Sequence, residues 1–107
     1  MPKILVVDDM EEIIRLLEIN LKRAGYETLT ARDGDEASEI LKSEFPDLII
    51  SDVTMPRKDG FALLEEVRAN PVMKDTPFIF LTVKAQDADV WTGVERGLLL
   101  LRAPNGH

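Results

Sequence analysis

Residues 46–60 read PDLIISDVTMPRKDG, which is an apolar run followed by a polar loop that contains Pro56 and Gly60. Apolar residues bounded by proline and turn-forming residues are typical of a buried strand. This strand ends on Ser51 and Asp52. We therefore expect Asp52 at the carboxyl end of a strand, which is where open α/β sheets bind their ligands.

A second strand is expected to bring two more carboxylates to the same place. Residues 4–7, ILVV, are apolar and lead directly into Asp8 and Asp9. If the two strands are parallel neighbours, the carboxylates of Asp8, Asp9 and Asp52 meet at one edge of the sheet, where like charges repel each other. A divalent cation would compensate that charge, so the pattern indicates a metal site.

The composition is that of a single globular domain, residues 1–107. The chain is 45% hydrophobic and 31% charged, a mix that is usual for a domain with a modest core. It has no cysteine, which excludes disulfides and cysteine-ligated zinc and fits a cytoplasmic location. Neither a signal peptide nor a bilayer-spanning apolar run is visible, so no membrane contact is expected. The net charge of −7 disfavours direct binding to nucleic acid or to anionic lipid.

Predicted strands and helices alternate along the chain, which indicates an α/β fold with helices on both faces of a parallel sheet. The predicted strands cover residues 3–7, 27–31, 48–52, 78–82 and 98–101. Helices are predicted at 11–24, from the turn at Gly34 to 44, at 61–69 and at 88–96. Right-handed crossovers then give a doubly wound sheet whose loops cluster at one edge.

The acidic edge carries the groups that phosphoryl transfer needs. An aspartate carboxylate can attack phosphorus and form an aspartyl phosphate, so Asp52 is the candidate acceptor. Mg²⁺ prefers oxygen ligands, and we expect Asp9 and Asp52 to bind it directly while Asp8 holds a metal-bound water. The backbone carbonyl of Thr54 can complete the metal shell. The hydroxyl of Thr82 is placed to bond a phosphoryl oxygen.

These motifs together resemble the receiver domain of the two-component response-regulator family. The matching segments are ILVVDD at 4–9, DLIISD at 47–52, MP at 55–56, DGF at 59–61 and FLT at 80–82. The resemblance covers residues 3–97 and implies a flavodoxin-like sheet with strand order 2-1-3-4-5. It also implies Mg²⁺-dependent phosphorylation of Asp52 by a histidine kinase or a phosphotransfer protein. A switch carried by Thr82 and an output surface near the fourth helix and fifth strand are implied as well.

The last ten residues depart from the family pattern. The family has a lysine before a proline after the fifth strand, and that lysine pairs with the phosphoryl group. Here Ala103 precedes Pro104, and Arg102 is the nearest base. Arg102 is a weak substitute because a guanidinium differs from an ammonium in shape and reach. The family's aromatic residue in the fifth strand is replaced by leucine, and we expect the last helix to be missing.

The leucine-rich tail has two competing interpretations. As a strand left uncovered, residues 98–101 form an exposed apolar patch that favours a homodimer. Alternatively, the fourth helix continues to Arg102, because apolar residues at 90, 94, 98 and 101 have helical spacing and Gly97 costs a helix only about 1 kcal/mol. Truncation, a frameshift or deliberate engineering would also produce such a tail.

Three functions compete. The first is a receiver that takes a phosphoryl group on Asp52 and turns over no separate substrate. The alternative is a degenerate receiver, a protein-binding or oligomerising module without a phosphorylation switch, which the departures in the tail favour. The third is a Mg²⁺-dependent phosphohydrolase. Such enzymes often carry a second carboxylate two residues after the nucleophile, and Thr54 at that position argues against it.

Several polar residues of the central loop are expected to have ordinary roles. Asp59 and Gly60 read as a turn and a helix cap. Lys58 is expected to be solvated rather than catalytic, and so is Lys84, although Lys84 lies near enough to the site to act as a substitute cation.

Overall fold

The structure is a computed structural model, and it describes residues 1–83 and 98–102. Within these residues it contains five strands and three helices. In chain order they are β1 (Lys3–Val7), α1 (Glu11–Arg23), β2 (Glu27–Ala31), α2 (Gly34–Ile40), β3 (Leu48–Asp52), α3 (Gly60–Ala69), β4 (Phe78–Val83) and β5 (Leu98–Arg102). The predicted fourth helix at 88–96 and Lys84 lie outside the described residues. No helix within them is long and apolar enough to cross a membrane.

The strands form one sheet in the order β2-β1-β3-β4-β5, as predicted. The first four strands in this order run parallel to one another. Val7 lies opposite Ser51, and Asp52 lies opposite Leu81. This register sets the residues that follow β1 beside the end of β3, so the prediction that the acidic residues share one sheet edge is confirmed.

The direction of β5 differs from the prediction. β5 runs antiparallel to β4, with Leu98 opposite Val83 and Arg102 opposite Ile79. A parallel last strand was expected from the alternation of elements, but an uninterrupted run of leucines is compatible with either direction. The alternative helix reaching Arg102 is wrong for residues 98–102, which form a strand. The side chains of these residues lie outside the described part of the structure, so the homodimer stays a prediction.

The two faces of the sheet are covered by different helices. On one face α1 packs over β1 and β2, and its buried Ile14 belongs to one apolar cluster with Val6 and Leu81. On the other face α2 and α3 enclose the larger core, in which Leu63 and Phe78 are fully buried. Burial of apolar side chains on both faces is what stabilises a parallel sheet of this kind.

Two helix ends show how local sequence sets the boundaries. α1 ends before Gly25, whose φ of 96° is the left-handed conformation predicted from its position. α2 ends at Ile40, four residues earlier than predicted. Its backbone bonds change there to the tighter i, i+3 pattern, since the N–H of Lys42 bonds the carbonyl of Glu39 at 3.2 Å. Pro46 follows closely, and proline disfavours helix in the residue before it.

Candidate metal centre

The three predicted carboxylates come together at the carboxyl ends of β1 and β3. Oxygen atoms of Asp8, Asp9 and Asp52 all lie within 4.8 Å of one another. Asp8 is buried, Asp52 is half-buried and Asp9 is exposed. The cluster is therefore open to solvent at Asp9 and closed at Asp8.

Asp8 is held in place by the start of α1. Its Oδ1 accepts a hydrogen bond from the N–H of Met10 at 2.8 Å. Burial raises the pKa of Asp8 to about 6; the Met10 bond opposes this rise, while the charges of Asp52 and Asp9 add to it. Asp8 therefore pays an electrostatic cost for being ionised at neutral pH.

The pKa of Asp52 is set by similar opposing effects. Burial raises its pKa, the N–H groups of Val53 and Thr54 lower it by hydrogen bonding, and the charge of Asp9 raises it again. Two carboxyl groups with raised pKa values and a third beside them leave negative charge uncompensated among the described residues. An oxygen-liganded divalent cation such as Mg²⁺ fits this donor set, because it supplies the missing positive charge to hard oxygen ligands.

The loop between β3 and α3, residues 53–59, is closed on itself next to the cluster. The N–H of Gly60 donates to the carbonyl of Val53 at 2.8 Å. Met55 is buried in the core, whereas Thr54 is exposed. Asp59 caps α3 by accepting from the N–H of Ala62 at 2.9 Å, which confirms its predicted role. The loop thus has a fixed base and presents Thr54 at the site edge.

The two remaining predicted site residues, Thr82 and Arg102, lie at opposite ends of β4. Thr82 follows Leu81, the strand partner of Asp52, and so lies at the correct end of β4, although its side chain is outside the described part. Arg102 lies opposite Ile79, at the other end of β4. Because β5 is antiparallel, the geometric ground for Arg102 as a substitute for the family lysine is lost.

Lys58 is not the solvated residue that was predicted. Its ammonium bonds the Oγ of Ser38 in α2 at 2.7 Å and an oxygen of Glu66 in α3. Its side chain is only 27% exposed. Both partners are distant in sequence, so neither periodicity nor a motif could have revealed this contact.

Comparison with known proteins identifies the family of this fold. The family model described as the response regulator receiver domain matches residues 4–99. The chain belongs to the response regulator receiver domain family. It is therefore a phosphoacceptor module of two-component signal transduction, as predicted.

Named relatives extend this comparison. The chain is 44% identical over 95 residues to the alkaline phosphatase synthesis transcriptional regulatory protein PhoP of Bacillus subtilis, covering 89% of this chain. It spans 39% of the length of that relative. The signal receiver domain of a histidine kinase from Syntrophus aciditrophicus superimposes with a TM-score of 0.75 and 39% identity, covering 84% of this chain and 68% of that one. The response regulator TrrA of Thermotoga maritima, solved with Mg²⁺ and BeF, gives a TM-score of 0.61 and 43% identity over 64% of this chain and 59% of its own.

Proposed function

We propose that Asp52 accepts the phosphoryl group and that the reaction depends on Mg²⁺ held by the acidic cluster. The observation that carries this proposal is the convergence of Asp8, Asp9 and Asp52 oxygens within 4.8 Å at the carboxyl edge of the sheet. Of the three, Asp52 is the one at the end of the central strand, next to a loop whose N–H groups bond it. Asp52 is half-buried, so part of it stays accessible to an incoming donor.

The acidic cluster, Asp52 included, and one backbone carbonyl would hold the metal in this proposal. Asp9 and Asp52 provide direct oxygen ligands, the carbonyl of Thr54 provides another, and buried Asp8 orients a metal-bound water. When bound, Mg²⁺ neutralises charge on the equatorial oxygens of the transferring phosphoryl group. The Mg²⁺ and BeF complex of TrrA, which is 43% identical over the aligned part, supports this assignment by similarity.

The transfer itself needs only one nucleophile from this chain. An oxygen of Asp52 forms a bond to phosphorus while the phosphorus–nitrogen bond of the donor's phosphohistidine breaks. The donor imidazole takes up a proton as it leaves. We propose a histidine kinase or a phosphotransfer protein as the donor, and the hydroxyl of Thr82 as a hydrogen-bond donor to a phosphoryl oxygen.

The degenerate-receiver alternative is not favoured. A chain that had lost the reaction would have no need to keep Asp8 buried and ionisable beside two further carboxylates, since such groups destabilise a fold. The family match over residues 4–99 points the same way.

The decisive test is the intact mass of the protein after incubation with Mg²⁺ and acetyl phosphate as a small phosphodonor. We expect the parent to gain one phosphoryl group that hydroxylamine removes, as it does from an acyl phosphate. Asp52→Asn should gain none, whereas Asp35→Asn, which changes an exposed acid in the first turn of α2, should behave like the parent. Phosphorylation of Asp52→Asn at the parent's rate would refute the assignment.

A further inference from the structure

The loop that follows Asp52 is tied to both helices of its face through Lys58. The Lys58 ammonium donates to the Oγ of Ser38 at 2.7 Å and to an oxygen of Glu66. The Ser38 hydroxyl lies 2.9 Å from the same Glu66 oxygen and 3.0 Å from the carbonyl of Gly34. A single lysine therefore joins the loop, α2 and α3 in one hydrogen-bonded cluster.

The backbone of Lys58 is fixed as well. Its carbonyl accepts from the N–H of Gly34, the first residue of α2, at 3.1 Å. A β-carbon on Gly34 would overlap this carbonyl and the Lys58 side chain, so the close approach depends on glycine at that position. The neighbouring Arg57, which has a φ of 67°, lies 3.4 Å from the carboxylate of Asp33. The loop is therefore held against the start of α2 by two consecutive residues.

These contacts constrain the part of the loop nearest the metal centre. The hydrogen bond between Gly60 and Val53 closes the loop at its base, and the buried side chain of Met55 anchors its middle. The remaining segment, residues 56–59, is held by the Lys58 contacts, by the Arg57–Asp33 pair and by the Asp59 cap of α3, so loss of the Lys58 ammonium would loosen it at one of these points. Met55 connects that segment to Thr54, so a looser segment would widen the range of positions open to the Thr54 carbonyl.

We propose that Lys58 is a positioning residue that locks the loop against α2 and α3 and thereby sets the Thr54 carbonyl for metal binding. This inference rests on the proposed metal site. Lys58 does not touch the metal in this role, because its ammonium is bonded to Ser38 and Glu66. It acts by limiting the positions that the loop can take, and a ligand held in place loses less entropy on binding.

Lys58→Met tests the proposal because methionine keeps the length of the side chain and removes the ammonium. We expect the Mg²⁺ dissociation constant to rise about three- to tenfold, less than the roughly 10- to 100-fold seen when a residue bonded directly to a metal ligand is changed. The amide of Gly34 should also exchange its hydrogen faster in the Mg²⁺-free protein, because its acceptor is the Lys58 carbonyl. NMR on ¹⁵N-labelled protein gives both quantities, the dissociation constant from a Mg²⁺ titration and the exchange rate from a hydrogen–deuterium exchange series on the Mg²⁺-free protein.

Lys42→Met is the matched control. It removes the same charge, but among the described residues the Lys42 ammonium bonds only Glu39, and its side chain is 71% exposed. Glu66 acts on Lys42 through its charge and not through a hydrogen bond. Glu66→Leu removes the acceptor of the Lys58 ammonium and should reproduce the effect of Lys58→Met. The variant with both substitutions should bind Mg²⁺ no more weakly than either single variant.

The outcomes separate the inference from the proposed function. If the parent binds Mg²⁺ and Lys58→Met binds it as tightly as Lys42→Met does, the positioning role is refuted while the metal site stands. Weaker binding without faster exchange at Gly34 refutes it too, because the loop then has not loosened. If the parent itself fails to bind Mg²⁺, the proposed metal site falls and the positioning role falls with it.

Discussion

The backbone of Gly60 lies directly against the carbonyl group of Asp52. A β-carbon on Gly60 would overlap that carbonyl oxygen, and it would also approach the ring of Phe80 to 3.2 Å. The first residue of α3 and the last residue of β3 are therefore in contact at the base of the loop. This contact requires a residue without a side chain, although the φ of Gly60 is not in the left-handed region.

Gly60→Ala is predicted to damage the site and the fold together. The new methyl group must push the Asp52 backbone away, so we expect a loss of about 2 kcal/mol or more in the free energy of unfolding and little Mg²⁺ binding. Gly25→Ala is the control: it has open space around it but a φ of 96°, so it should cost about 1 kcal/mol through backbone strain and leave Mg²⁺ affinity unchanged. Denaturant unfolding measures the free energy of unfolding of each variant, and a Mg²⁺ titration measures its Mg²⁺ affinity. Normal Mg²⁺ affinity in Gly60→Ala would contradict the prediction that the new methyl group displaces Asp52.

Asp8→Asn is predicted to stabilise the metal-free protein at neutral pH. The amide has nearly the same shape and can still accept from the N–H of Met10, but it carries no charge to be buried. The gain should be about 2 kcal/mol, because each unit of a shifted pKa corresponds to about 1.4 kcal/mol and solvent screening reduces the total. Urea unfolding in the presence of a chelator tests this, and Asp35→Asn should show no comparable gain.

The stability gained by Asp8→Asn should depend on pH, because it arises from the titration of the Asp8 carboxyl group. The pKa of Asp8 in the folded state is about 6, above its ordinary value of 3.8, so the folded protein binds this proton more tightly than the unfolded chain. The stability from Asp8 is fully present below pH 3.8 and is lost as the pH rises towards 6. The difference between Asp8→Asn and the parent should therefore be small at pH 4 and level off above pH 6. A constant difference across this range would show that Asp8 does not titrate as described.

Mg²⁺ binding should weaken on acidification. A proton on Asp8 competes with the cation, so below a pH of about 6 the dissociation constant should rise, by up to about tenfold per pH unit if one proton is displaced. Calorimetric titrations between pH 5 and 8 measure this. In Asp8→Asn the affinity is lower throughout and its dependence on pH should be shallower.

Gly34→Ala is predicted to weaken Mg²⁺ binding from a distance. Alanine raises helix propensity by about 1 kcal/mol in a helix interior, but here its methyl group would displace the Lys58 backbone. The loop should then loosen as it does in Lys58→Met, with a similar rise in the Mg²⁺ dissociation constant. If Gly34→Ala is more stable than the parent and binds Mg²⁺ normally, the close approach of Gly34 to the Lys58 backbone is unimportant for the site.

Much of the fold and of the acidic cluster was predictable, because strand ends are visible in sequence. The apolar runs before Asp9 and Asp52 mark β1 and β3, and parallel pairing then forces their ends together. Strand order followed from the resemblance to receiver domains. The direction of β5 was not predictable, since residues 98–101 are all leucine and carry no alternation.

The contacts of Lys58 were hidden for a different reason. A charged residue in a loop is solvated in most proteins, and its partners Ser38 and Glu66 are 20 and 8 residues away. Only the packing of α2 against α3 brings them together. Such contacts depend on tertiary geometry that no local pattern encodes.

The acidic cluster also lies on the seam between two cores that share no buried side chain. Asp8 and Asp9 lead into α1, which covers one core, whereas Asp52 leads through its loop into α3, which covers the other. A cation bound by all three carboxylates would link the strand end that leads into α1 to the strand end that leads into α3. The elements on the two faces of the sheet would thus share one cation-dependent connection.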